Sequence, residues 1–466
     1  MYKLLLVIFL IPGGALWAQN CDCSSELAYA INYFEENNPA FQKIKSDAGA
    51  LDDYLRQVAT IEQEAKLEKD SDRCIIHLDR YVKLLKDHHS GIGFNLRREV
   101  DMSTPEAIQR FKNSETFQRF EKIELDTAAM MNDLRQRKQT DVEGVYSNGG
   151  SLVFAIVRKP GSETKYQGII VRKNSLLDVG HLLLELEEQP DKSFDLTYHT
   201  GLLGFTMKKI FRNTTIENGQ MPEFGFAKVT TELPQGKTYE FRALNDSTNY
   251  LRLSSFSGSE TGELDSFYAA IADKIKNTPY LVVDVRNNGG GSEQFYLDLL
   301  PYAYTKPLKI DPAFVWVSPE NIKRYEESEP DQNNDLVSRM KAAKPFTFIP
   351  QHEGGDNTWA LDSVSVFPKK IALLFNRGTA SAAEGLITYF TQSDKVITVG
   401  ENSGGYIGYG NVMRSQTPCG RYTLNSTTTS YKEKSKYEFV GIPPAYPATG
   451  QSDWVKYAVE LLRQSN

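Results

Sequence analysis

The 466-residue chain has no apolar run long enough to cross a bilayer. Its longest, LLLVIFLI after Lys3, falls well short of the ~20 residues that a spanning helix needs. It is not basic either. A formal net charge of −7 excludes a general nucleic-acid binder, so no nucleic acid is expected as a partner. The phosphate-cradling GxxxxGK[ST] loop and the dinucleotide fingerprint GxGxxG are both missing. Only four cysteines are present, and CDC at 21–23 lacks the spacing of a zinc knuckle or of a thioredoxin-type pair. No cofactor and no metal are therefore expected. Histidine is scarce, at six residues, and no lysine lies between Lys395 and Lys432.

The amino-terminal segment has a recognisable order. Lys3, the short apolar run and the small residue Ala18 form an n-region, an h-region and a cleavage point, which predicts a signal peptide over 1–18. Ala18, Gln19 and Asn20 do not resemble a lipoprotein cleavage box, so lipid anchoring is not expected. The predicted compartment is periplasmic or extracellular, in a bacterium. In an exported chain an even cysteine count points to disulfides, and a bridge from Cys74 to Cys21 or Cys23 is expected.

Three textures follow. Residues 19–139 are predominantly helical in pattern, with apolar residues three and four apart and almost no Gly or Pro until KDHHSGIGF at 86–94. Residues 140–245 are short alternating runs divided by Gly, Asn, Pro and Asp, which predicts an antiparallel β domain. GLLGF at 201–205 faintly resembles a PDZ carboxylate loop, but its surroundings do not. From 246 to 466, apolar strands such as YLVVDV and KIALLF alternate with helical stretches, an α/β layer arrangement. Residues 306–366 are polar and irregular and predict a surface insertion. Nothing in the pattern specifies an oligomeric state.

Two stretches carry chemistry. In YLVVDVRNNGGGSEQF an apolar strand runs into a glycine loop whose N–H groups could form a turn or an oxyanion hole. In KIALLFNRGTASAAEGL a strand leaves through Gly378 and enters a helix at Ser381. A hydroxyl there is either a helix cap or a nucleophile on a strand-to-helix turn.

LVVDVRNNGGG and LLFNRGTASAAEGL, in this order and with VITVGENSGG after them, resemble the signatures of the C-terminal-processing (tail-specific) serine peptidases and their tricorn-type relatives. The resemblance covers about 248–446 and implies a ββα-spiral, crotonase-like catalytic core, with Ser381 as nucleophile. The chain departs from the Ser–Lys branch: the lysine's place falls at Tyr406. It is closer to the tricorn and chlamydial protease-like activity factor branch, which resembles it in two further places. KDHHSG aligns His89 with that branch's catalytic histidine and His88 with a variable position. YEFVGIPP aligns Glu438 with its acid. A neutral imidazole suits the base near neutral pH, and a carboxylate behind it would fix the tautomer. The expected oxyanion donors are the N–H of Ala382 and that of Gly290, with Gly291 next.

The resemblance thus implies an exported serine endopeptidase acting on protein or peptide substrates. The helical segment would carry the His turn, and the β domain would be inserted before the core. An inactive peptide-binding relative is the alternative. A crotonase-type acyl-CoA enzyme is a third reading, opposed by export and by the serine on its turn.

Overall fold

A computed structural model describes residues 21–464 except 70–73, 95–103, 119, 125, 135, 139, 148–151, 174–175, 200–207, 215, 217–219, 222–225, 229–238, 257–260, 329–333, 353–357 and 452. The predicted signal peptide and the GLLGF segment lie outside the described residues.

The carboxy-terminal half is built on a six-stranded sheet, in the order Tyr239–Asn245, Thr248–Leu253, Tyr280–Asp284, Lys370–Phe375, Val396–Gly400, Tyr446–Pro447. Only the first pair is antiparallel; the others run parallel. Successive side chains of a strand point to opposite faces. Leu281 and Val283, with Ile371 and Leu373, therefore pack against Leu264, Ile271, Leu386 and Ile387 of two crossover helices. Val282, Ala372 and Leu374 face Ala458, Leu461 and Leu462 of the last helix, Trp454–Gln464. Both faces are covered, which is why these strands read as unbroken apolar runs.

Tyr239–Asn245 is a correction to the sequence texture. It pairs with Thr248–Leu253, whereas the separate eight-stranded antiparallel sheet spans Gly144 to Lys228. A short alternating strand reads alike in either sheet, and only its partner distinguishes them.

A third, five-stranded sheet positions the His turn. Gly91–Phe94 pairs antiparallel with Asn425–Tyr422, placing the turn beside the carboxy-terminal half. The amino-terminal helices pack on the same strand, in one core with Tyr422 and Leu424. Two disulfides fasten them: Cys23–Cys74, as expected for Cys74, and Cys21–Cys419, which reaches the carboxy-terminal half.

Residues 306–366 depart from the expected irregular insertion. Ala313–Trp316 joins the five-stranded sheet, and helices Pro319–Ser328 and Asn334–Ala342 share a small core around Val317, Tyr325 and Met340. The polarity that suggested a loop belongs to the outer faces of two amphipathic helices. Among the described residues no helix is long and apolar enough to cross a membrane.

Candidate active site

The turn at Ser381 is held from below by two asparagines. Asn376 Oδ1 accepts the N–H of Asn287 at 2.9 Å, and Thr379 Oγ donates to Val285 O at 2.8 Å. Gly378 is required by contact, since a Cβ there would lie 2.5 Å from Asn287 Oδ1. Ser381 itself has φ 55° and ψ −122°, a conformation that costs a non-glycine residue roughly 1–3 kcal/mol. Its side chain makes no cap hydrogen bond to the helix Ala382–Phe390. Instead Oγ lies 3.0 Å from Nε2 of His89, a residue 292 positions away.

The His turn is braced by Asp87, a buried carboxylate that the sequence pattern contained without a role. Its Oδ1 accepts the His89 N–H at 2.9 Å. Its Oδ2 accepts from Ser90 Oγ at 2.5 Å, Thr427 Oγ at 2.6 Å and Asn38 Nδ2 at 3.2 Å. His88 points elsewhere: its Nδ1 donates to Gly405 O at 2.8 Å, and its ring lies between Tyr406 and Phe439. Tyr406, at the dyad-lysine position, presents a ring edge-on to His89. Burial pulls the His89 imidazole below its ordinary value, with Asp87 opposing, so the neutral form is favoured.

Glu438 does not reach the His89 ring. Its Oε1 accepts the His88 backbone N–H at 3.0 Å, and its Oε2 accepts those of Ile407 at 3.0 Å and Gly408 at 2.6 Å. Burial pushes this carboxyl up to about 7 against those three hydrogen bonds. His89 Nδ1 is buried and has no partner among the described residues. Glu438 thus joins the His turn to the 407–408 backbone, and the imidazole tautomer is not set by it directly.

The glycine loop also differs from expectation in one atom. Gly290 N–H donates to Asn288 Oδ1 at 2.9 Å, which removes it as an oxyanion donor. Asn288 is fully buried and is itself anchored to Leu253 O at 3.0 Å. Gly290 still matters by contact: with φ 92°, a Cβ there would lie 2.7 Å from Ser381 Cβ and 3.0 Å from Ala382 N. Gly291, the next candidate, lines the cleft with Ala382, Ser381 and His89. Among the described residues neither its N–H nor that of Ala382 has a hydrogen-bond partner.

Glu384 is the largest omission of the sequence reading. It is fully buried, and its carboxylate takes four donors. Oε2 accepts Ser381 N at 3.0 Å and Tyr406 N at 2.8 Å; Oε1 accepts Ser403 Oγ at 2.5 Å and Gly405 N at 2.8 Å. One side chain therefore orients both the Ser381 turn and the 403–406 loop beneath His88. The signal was available, because Ser381-x-x-Glu384 is the capping-box spacing.

The cleft above these groups has a volume of ≈ 820 Å³ and is lined by Ser381, His89, Ala382 and Gly291. Among the described residues no cluster of three or more His, Cys, Asp or Glu side chains is placed to hold a metal ion.

A serine hydroxyl on a strained strand-to-helix turn, an imidazole in contact with it and open N–H groups beside it are the parts of a serine-type peptidase. That class agrees with the comparisons, in which residues 247–447 match the model of peptidase family S41. Mature CPAF aligns over 95% of this chain and 97% of its own at 13% identity, with a TM-score of 0.50. Mature CPAF complexed with lactacystin aligns over 96% and 98% at 13% identity, with a TM-score of 0.51. At this identity the likeness is one of fold. A Parabacteroides merdae protein crystallised as a candidate peptidase aligns over 48% of this chain and 64% of its own, at 17% identity and a TM-score of 0.32. No curated protein sequence matches the chain.

Proposed function

We propose that this chain is an exported serine endopeptidase in which Ser381 is the nucleophile and His89 the general base, in place of a Ser–Lys dyad. The observation that carries the reading is the 3.0 Å contact between His89 Nε2 and Ser381 Oγ. As the hydroxyl attacks the scissile carbonyl, its proton passes to Nε2, which the lowered pKa keeps unprotonated near neutral pH. The developing oxyanion is met by the N–H groups of Ala382 and Gly291. The imidazolium then protonates the leaving amine, giving an acyl-enzyme on Ser381. Water activated by the same nitrogen releases the acid and restores the serine.

Glu438 acts as a positioning residue in this scheme, fixing the His turn through the His88 N–H. Asp87, which grips the His89 N–H, is the negative charge that opposes the burial of the imidazole and so favours the imidazolium. Export is supported by the leader pattern and by both disulfides, which form and persist in oxidising compartments.

The test is labelling with a fluorophosphonate. The native chain should be labelled and should hydrolyse casein, whereas Ser381→Ala and His89→Ala should do neither while remaining folded. Labelling that persists in Ser381→Ala would place the nucleophile elsewhere. A native chain that takes no label would favour the inactive peptide-binding alternative.

A further inference from the structure

The charged run KEKSKYE at 432–438 reads as a solvated surface, but only Lys432, Glu433 and Lys436 are exposed. Lys434 is the fully buried member of the run, with 7% of its surface exposed. Its ammonium sits 4.6 Å from the ring centre of Tyr431 and 5.9 Å from that of Tyr389. Those rings hold a cation by its attraction to their faces, and they neutralise none of its charge. Among the described residues no carboxylate forms an ion pair with it. Asp311 spends both oxygens on the backbone N–H groups of Glu433 and Lys434.

Lys434 lines two cavities at once. One is the cleft that holds Ser381 and His89; the other is an adjoining cavity of ≈ 510 Å³. They meet at Ile310, Asp311, Pro312, Tyr389 and Lys434. The second cavity bears Lys309, Lys434 and Lys436 with Asp311 and Glu433, and of the three lysines only Lys434 is buried. The catalytic cleft also carries Glu293, but that carboxylate is exposed and remains hydrated. A hydrated charge discriminates weakly between ligands. A cation whose stem is buried and whose head lacks a counter-ion gains much more from an arriving anion.

We infer that the adjoining cavity is a substrate subsite for a carboxylate, and that Lys434 is its specificity-determining residue. This rests on the peptidase reading and adds a substrate class to it: peptides bearing an acidic side chain or a free C-terminal carboxylate at a fixed distance from the scissile bond. The aromatic pair holds the ammonium at the cavity wall, and Asp311 fixes the short helical turn Lys434–Tyr437 that carries it.

The test uses fluorescent decapeptides blocked at both ends, each with Glu or Gln at one successive position, and a matched set ending in a free acid or an amide. Binding is measured on Ser381→Ala, and kcat/KM on the active chain. At one position, or at the free terminus, the carboxylate form should be preferred on the order of tenfold or more, the scale of a charge-assisted hydrogen bond. In Lys434→Met that ratio should fall to about one, and Lys434→Arg should keep most of it. The arm that shows the preference identifies side chain or terminus. Equal affinity for every pair, or a preference that survives Lys434→Met, overturns the subsite. If the native chain hydrolyses none of the peptides, the peptidase reading fails, and the binding ratio still decides whether Lys434 selects a carboxylate.

Discussion

Replacing Glu384 by Gln removes one oxygen and nothing else of consequence in volume. Each carboxylate oxygen serves two donors, Ser381 N and Tyr406 N on one side, Ser403 Oγ and Gly405 N on the other. Whichever way the amide turns, its NH₂ faces donors it cannot accept. Ser403 Oγ can rotate its proton away; a backbone N–H cannot. One to two buried donors are thus orphaned, at about 1–3 kcal/mol each. The middle of that range is about 3 kcal/mol. For a catalytic domain of this size that corresponds to a fall in Tm of roughly 6–12 °C. Ser381 and the 403–406 loop also lose their shared anchor, so the fluorophosphonate labelling rate should drop on the order of 10–100-fold, as small misplacements do. Differential scanning calorimetry and a labelling time course measure the two effects. Burial pushes the Glu384 carboxyl upward, and a protonated acid would be mimicked well by Gln. A Tm within about 2 °C of the native value, with labelling unchanged, would therefore refute the four-donor carboxylate as the brace of this site.

Further outcomes are expected at Ser381 and Glu438. Ser381→Gly should abolish labelling yet raise Tm by a few degrees, because relief of the φ 55° strain outweighs glycine's roughly 1 kcal/mol entropic cost; a lower Tm would mean that the turn is unstrained. Activity should fall as pH drops through about 7, where Glu438 takes up a proton and weakens its hold on the His88 N–H. The stability term has the opposite sign. The folded-state value lies above the ordinary 4.5, so the folded chain binds this proton more tightly and the group's contribution to stability declines as pH rises from about 4.5 to about 7. In Glu438→Gln the acid limb of kcat/KM should move down toward the lowered titration of His89; an unmoved limb would remove Glu438 from the pH response.

Some of the site was legible because its causes are local. Strand runs such as LVVDV and KIALLF announce a sheet covered on both faces, and Gly378 and Ser381 announce a turn into a helix. The choice of His89 over His88 came from the family resemblance of KDHHSG, not from a local cause. Other features depended on what arrives from far along the chain. Glu438 meets the backbone of His88 and leaves the His89 ring alone, a choice made by the pairing of Gly91–Phe94 with Tyr422–Asn425 and by the 405–408 loop. Gly290 gives its N–H to Asn288 because Leu253 O turns that amide toward it. Lys434 looks like any lysine of a charged run until Tyr389 and Tyr431 close around it. Periodicity and turn chemistry act over a few residues and are written in order along the chain. Which donor meets which acceptor across some 300 residues is decided by packing, and packing exists only in the folded protein.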